Sequence, residues 1–185
     1  MKRFVAVLLM AVLLSGCGGD DGIQRGMALR ERLLKNSGCT FDAVITADYG
    51  EKIHSFSMKC KADGNGDLEF TVTAPETISG ITGAIRQEGG NLTFDEQVLA
   101  FEMLADGQVT PVSAPWLFIK AMRSGYLAYC GESEGRMQLG IDDSYEDQAL
   151  HLDVWFDAED LPVACEILWQ GRRVVSLEVR NFSYV

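Results

Sequence analysis

The sequence predicts a mainly β chain with two helices, a long antiparallel sheet that is apolar on one face and curls around them. Three observations predict it. From Cys39 onward, apolar residues recur at every second position, in runs separated by Gly, Asn, Asp and Pro, as half-buried strands and tight turns require. Two stretches, near residues 23–37 and 114–123, carry a helical period instead. The strand count, about ten or eleven, is too large for a flat sheet, so the sheet must curl and the helices take the inside of the curl.

Residues 23–37 place Ile23, Met27 and Leu34 on one side of a helix, with Leu29 and Leu33 extending it, and Asn36-Ser37-Gly38 ends it. The next stretch, CTFDAVITADYGEKIHSFSMKC (39–60), reads as a hairpin. If Tyr49-Gly50 is a two-residue turn, paired numbers sum to 99. Ile45 then faces His54, Ala43 faces Phe56, Phe41 faces Met58 and Cys39 faces Cys60. One face is apolar and the other mostly polar, and a slip of one residue would mix them. In this register residues 39 and 60 form a non-hydrogen-bonded pair, with Cα atoms about 4.5 Å apart, within reach of a disulfide.

After the turn at 62–67, Leu68, Phe70, Val72 and Ala74 continue the apolar face until Pro75. Residues 83–87, 92–95 and 98–104 suggest three short strands. A helix over 114–123 is expected to start after Ser113, with Pro115 in its first turn. Tyr126, Ala128 and Cys130 are expected to face Leu139 and Ile141 across Glu134-Gly135. Leu150, Leu152, Val154 and Phe156 line the next strand, and Val163, Cys165, Ile167 and Trp169 its neighbour. A three-residue loop, Gln170–Arg172, sets Val175 opposite Ile167 and Leu177 opposite Cys165.

The chain starts with Lys2-Arg3 and the apolar run FVAVLLMAVLL, the n- and h-regions of a signal peptide. It ends in Leu14-Ser15-Gly16-Cys17, which resembles the bacterial lipobox. That resemblance implies a leader of residues 1–16, a diacylglyceryl group on Cys17, and an extracytoplasmic protein anchored to the cell membrane. Residues 18–22 read as a flexible tether, and residues 23–185 as one domain. The 16 basic residues less Lys2 and Arg3 leave 14 against 27 acids, a net charge of −13 from Cys17 onward. That balance, without a Lys/Arg cluster, excludes a nucleic-acid surface. It also repels anionic headgroups, so attachment to the membrane rests on the anchor.

The order of an acylated N-terminus, one helix, antiparallel strands, a Pro-containing helix and more strands resembles the half-barrel class of lipoprotein carriers, LolA and LolB. Its relatives include the periplasmic sensor MucB/RseB and the clostridial germination lipoprotein GerS. The nearest local match is PETISGITGAIRQEGGNLTFDEQVLAFEML with the SAPWLFIKAM helix. The resemblance implies a half-barrel that holds acyl chains in its apolar concave side, beneath the helices. Here that space is lined by Phe41, Ile45, Phe56, Met58, Phe70, Val72, Leu152, Val154 and Ile167, with Trp116, Leu117, Phe118 and Met122 as the lid. The same residues serve as a closed core packed on the helices, and on the sequence alone that reading is favoured.

Catalytic and metal chemistry find little footing. His54 falls on the apolar face near a turn and His151 on a polar face, neither beside a convincing partner. CxxC, HxxxH and Gly-x-Ser-x-Gly are absent. The acids at 142–147 and 157–160 fall in loops, where solvation explains them. An oxidising compartment favours a Cys39–Cys60 disulfide over half a zinc site. Cys130 and Cys165 sit about 14 Å apart in a meander, at ~4.8 Å per strand, too far to bridge, so the reading leans to buried thiols although an even count argues for a pair. The expectation is a non-enzymatic binding protein without cofactor, holding a lipid, acyl chain, lipopeptide or protein client. The alternative is a filled-core accessory to an envelope or spore-wall enzyme.

Overall fold

The computed structural model describes residues 19–86, 93–94 and 104–185, with side chains over 22–86 and 104–185. The expected leader, Cys17 and most of the strand expected at 98–104 lie outside the described residues. Helix α1 (Gly19–Lys35) is followed by β1 (Gly38–Asp48), β2 (Ile53–Asp63), β3 (Leu68–Ala74), β4 (Thr82–Ile85) and β5 (Thr93–Phe94). Helix α2 (Ala114–Ser124) leads into β6 (Tyr126–Ser133), β7 (Arg136–Asp142), β8 (His151–Phe156), β9 (Pro162–Trp169) and β10 (Arg172–Tyr184). The strands form one open antiparallel sheet, ordered β5-β4-β3-β2-β1-β10-β9-β8-β7-β6. It is a mainly β, α+β half-barrel with its helices on the apolar face.

Two meanders are joined at their ends. The first and last strands pair in the centre of the sheet, so their ends sit mid-sheet, while β5 and β6 are the outermost of the described strands. Five strand pairs carry bulges that concentrate twist. Where β1 meets β10, for example, Phe41 is opposed by two residues, Asn181 and Phe182, and Asn181 takes a φ of 52°.

The β1–β2 register differs from the expected one. Paired numbers sum to 101: Ile45 faces Phe56, Ala43 faces Met58, Phe41 faces Cys60 and Cys39 faces Ala62. The turn is four residues long because Asp48 starts it. The Asp48 carboxylate accepts from the Gly50 amide at 2.7 Å, and the Tyr49 amide donates to the Lys52 carbonyl at 2.9 Å. Glu51 and Lys52 therefore stay in the loop. A shift of two preserves the faces, so the apolar side survives. The cysteine pairing does not: residues 39 and 60 become diagonal neighbours, and Cys39, Cys60, Cys130 and Cys165 are all free thiols.

The other hairpins behave more simply. Glu134-Gly135 and Gln170-Gly171 are two-residue turns with all four φ angles positive, as a type I′ turn needs. Val175 faces Ile167 and Leu177 faces Cys165 as expected. The route differs: Trp169 pairs with Arg172, and a bulge at Val174 restores the offset assigned to a three-residue loop. In β6 a bulge at Ala128 places Leu127, not Tyr126 or Ala128, opposite Ile141.

Helix α1 starts at Gly19, four residues earlier than expected, through residues read as tether. Its buried face is not the expected one. Gly26, Leu29 and Leu33 are buried and Gly22 is half-buried, whereas Ile23, Met27 and Leu34 stay exposed. The glycines decide this. A Cβ on Gly26 would lie 2.9 Å from the Leu139 side chain, and one on Gly22 2.9 Å from the Cys130 carbonyl oxygen. Only a face without side chains there lets the helix approach β6 and β7 so closely.

Helix α2 starts where expected, after Ser113 and with Pro115 in the first turn. Ser113 does not cap it with its side chain. Its hydroxyl instead closes a reciprocal box with Thr110 around the preceding 3₁₀ turn, Pro111–Ser113. Arg30 ties the two helices together. Its guanidinium donates to the carbonyls of Gly125 at 2.6 Å and Met122 at 3.0 Å, at the end of α2. Burial pushes its pKa down.

Candidate functional site

Three regions could carry function. The first is the concave face. Phe41, Ile45, Phe56, Met58, Phe70, Val72, Phe118, Met122, Leu152, Val154 and Ile167 converge there, all between 0 and 6% exposed and all in one cluster with α1 and α2. Phe41 meets Phe118 edge to face, with ring centroids 5.8 Å apart. Leu117 belongs to the same cluster, while Trp116 packs against it from outside and is only partly buried. Among the described residues the cluster has no buried polar residue, and no buried side-chain nitrogen or oxygen lacks a partner. This is a filled core. Burial of each large side chain is worth about 1.5–3 kcal/mol, so the face that the resemblance assigns to acyl chains is occupied by the protein's own lid. At the edge of the helices, among the described residues, lies a small pocket of about 220 Å³ bordered by Leu34, Trp116, Lys120 and Arg123. Ligand pockets run to about 300–1,000 Å³.

The thiols belong to this core. Cys165, Val154, Leu139 and Cys130 form one continuous row across four strands, the separation expected from the meander. Burial pushes the Cys39 thiol up to about 12, and pushes Cys60 and Cys165 up as well. Thiols so held are neutral and inert at ordinary pH.

The second region is outside the curl. Where β1 to β4 twist past one another, their outer face forms an open groove of about 900 Å³. Its walls carry Asp42, Lys59, Lys61, Glu69, Thr71 and Thr82, with Asn181 donating to the Asp42 carboxylate at 2.7 Å. Alternation along the strands puts these side chains opposite the core positions. Both charge signs are present, and hydroxyls line the space between them. The sequence reading missed this groove, because its residues look like ordinary solvated strand positions. A polar face of Thr, Lys and Asp carries no concavity signal until the bulge at Asn181 bends it.

The third region is a polar cluster on the outer face of β6 to β8. The His151 ring lies between two aspartates, with Nδ1 2.6 Å from Asp142 and Nε2 3.4 Å from Asp153. The Tyr129 ring stacks on His151 at 5.9 Å, and its hydroxyl donates to Asp153 while accepting from Gln138 at 2.9 Å. The expectation that His151 lacks a partner is thus corrected. The partner comes from cross-strand pairing, since Asp142 faces His151 in the register, and a sequence without register cannot show it. Burial and the neighbouring Asp153 raise the Tyr129 pKa, so the phenol is a donor and not a base. The members are an imidazole, two carboxylates, a phenol already donating and an amide; none is a nucleophile of the serine or cysteine kind.

Asp142, expected in a loop, is the last residue of β7 instead, whereas Asp63, Asp143 and Asp157 tie turns. Asp63 accepts from the amides of Asn65, Gly66 and Asp67 at 2.8–3.0 Å. Asp157 accepts from Glu159 and Leu161, and Asp143 from Leu150. Among the described residues no group of three His, Cys, Asp or Glu side chains is placed to hold a metal ion, and no helix is long and apolar enough to cross a membrane.

No family model and no curated protein matches the chain. Several solved structures are similar to it over most of its length. An uncharacterised conserved protein of Thermus thermophilus is similar at a TM-score of 0.44 and 12% identity, over 88% of this chain and 87% of that one. A LolA superfamily protein of Nitrosomonas europaea is similar at 0.38 and 7%, over 85% and 92%. MucB is similar at 0.46 and 12%, over 90% of this chain but only 59% of its own.

Proposed function

We propose that this chain is a lipid-anchored, extracytoplasmic, non-catalytic accessory protein. It is a half-barrel with a filled core that holds a protein client against the outer groove of β1 to β4. One observation carries the reading: among the described residues the concave face is packed by α2, with Phe118 fully buried, while an open groove of ligand size lies outside, lined by Asp42, Lys59, Lys61 and Glu69. A groove with both charges and exposed hydroxyls suits a polypeptide segment better than an acyl chain. Anchorage through Cys17 would keep such a protein beside envelope partners.

The test is a photo-crosslinking residue at position 59 in the lipidated protein in intact cells. It should trap one discrete protein species, and the trapping should fall in a Lys61→Glu background. The same residue at position 164, on the outer face of β9, should trap none. Equal trapping at both positions would remove the groove from the account.

The second reading keeps an apolar ligand beneath the helices. The partly buried Trp116 over the pocket it shares with Leu34 favours it. It requires α2 to lift from the sheet. Native mass spectrometry would then show lipid bound beyond the mass of the anchor; bare lipidated protein would leave the filled-core reading in place.

A further inference from the structure

Helix α1 carries two apolar stripes. One, with Leu29 and Leu33, is buried on the sheet. The other consists of Ile23, Met27 and Leu34, which are 36, 52 and 50% exposed. At about 100° and 1.5 Å per residue these three fall within roughly 40° of arc and run about 16 Å along the axis. The stripe does not stop at the helix end. Leu34 borders the same pocket as Trp116 on α2, and the Lys120 ammonium lies over the Trp116 ring, 5.2 Å from its centroid. An exposed aliphatic row continued by a tryptophan and a lysine is the composition of a surface that rests at a bilayer interface.

Two further observations identify the occupant. One is the chain length. The helix begins at Gly19, two residues after Cys17, and two residues reach at most about 7 Å. Acyl chains on Cys17 leave the start of α1 no room to stand away from the bilayer. The other is charge. The two helices hold six basic and three acidic side chains, while the rest of residues 17–185 holds eight basic and twenty-four acidic. Some of the helical charge is engaged, Arg25 with Asp160 and Lys35 with Glu31. Through the Arg25–Asp160 pair and the Arg32 contact with the Glu159 carbonyl, the acidic loop 157–160 lies beside α1. The helices themselves still reverse the balance of the remainder of the chain and are the part an anionic lipid surface repels least.

We propose that the stripe of Ile23, Met27 and Leu34, with Trp116, lies in the headgroup region of the membrane. It would orient the half-barrel with its helices down and its sheet, including the outer groove, toward the envelope space. The proposal rests on the lipidation of Cys17.

The test is hydroxyl-radical footprinting of the full-length, lipidated protein, reconstituted in vesicles containing anionic phospholipid at fewer than one protein per vesicle. The internal reference is Tyr145, 82% exposed. Relative to Tyr145, Met27 and Trp116 should be modified about fivefold or more slowly than in protein cut from the vesicle after Cys17, as insertion into the interface would require. A Met27→Glu/Leu34→Glu variant should remain anchored but lose the protection at Trp116. Intact mass and sedimentation with the vesicles separate the failures. An unmodified Cys17 with protein in the supernatant overturns the anchor, and with it this inference. A lipidated protein whose Met27 reacts as fast after cleavage as before overturns the inference alone. Protection that appears only at several copies per vesicle makes a second copy the occupant and overturns it as well.

Discussion

Arg30→Met keeps the aliphatic stem of residue 30 and removes the guanidinium that closes α2. The last turn of any α-helix leaves carbonyls without intrahelical partners. In α2 the Ala121 carbonyl receives the Gly125 amide at 2.8 Å, while the Met122 and Gly125 carbonyls receive Arg30 at 3.0 and 2.6 Å. A hydrogen bond from a charged donor is worth about 1.5–3 kcal/mol, and two good ones set an upper bound near ~6 kcal/mol. The partial exposure of Arg30 and its desolvation cost reduce this, because water can replace one partner, and a net loss of about 2–4 kcal/mol is expected. Urea unfolding at pH 7 should show it as a lower midpoint at unchanged slope. In a heat scan it corresponds to roughly 4–16 °C, at ~2–4 °C per kcal/mol for a chain of this size. Arg30→Lys should recover part, since a single ammonium reaches one carbonyl at a time. Arg25→Met, which removes only an exposed pair with Asp160, should cost less than about 1 kcal/mol. If Arg30→Met costs no more than Arg25→Met, Arg30 is not the tie between the helices.

Three other perturbations are equally direct. Phe118→Ala empties the centre of the core and should cost about 3–5 kcal/mol by urea unfolding; a loss below about 1 kcal/mol would mean that α2 is not seated on the sheet. Gly140→Ala would drive a Cβ into the Tyr129 ring, so the ring must leave His151 and Asp153, at about 1–3 kcal/mol; a Tyr129→Ala background should remove most of that cost, and additive losses would deny the contact. Cys39, held up to about 12, stays protonated in the folded protein while the unfolded thiol ionises near ~8.5. Its contribution to stability is therefore intact below about pH 8.5 and is lost progressively as pH rises toward 12; Cys39→Ser should flatten the alkaline fall, and a thiol assay after denaturation should count all four thiols of the domain. A count of two would restore a disulfide.

The strand faces were legible because one period governs them. Ile45, Phe56, Val72, Leu152 and Ile167 alternate with polar residues, and all are buried on one side. Register was less legible, and the β1–β2 hairpin shows why. Period-2 patterning is blind to a shift of two, so only turn chemistry distinguishes the expected pairing from the observed one, and the Asp48 side chain that decides it contributes a single hydrogen bond within the turn. Opposite-strand claims such as Cys39 with Cys60 inherit that uncertainty in full. The β9–β10 pairing came out right because a two-residue turn and a bulge add up to the same offset as a three-residue loop. The misread face of α1 has a different cause. A hydrophobic pattern scores side chains, whereas this helix docks by their absence at Gly22 and Gly26, which makes the apolar row beside them look like the core stripe.

That misreading has functional weight. A helix that meets its sheet through glycines uses little of its apolar surface in doing so, which leaves Ile23, Met27 and Leu34 over. In a soluble domain such a row is a liability, since exposed apolar surface in register invites association. Here the row starts six residues after Cys17, the cysteine proposed to be lipidated, and ends beside Trp116 and Lys120. The same close docking fills the concave face, because α1 and α2 are held against it and against each other by Arg30. A carrier must let its lid open to admit an acyl chain, and a lid pinned by two charged hydrogen bonds and a fully buried Phe118 opposes that. Loosening the pin by Arg30→Met should therefore separate the two functional readings. If the chain is an acyl carrier, the variant should gain lipid in native mass spectra. If it is a filled-core accessory, the variant should lose stability and gain nothing.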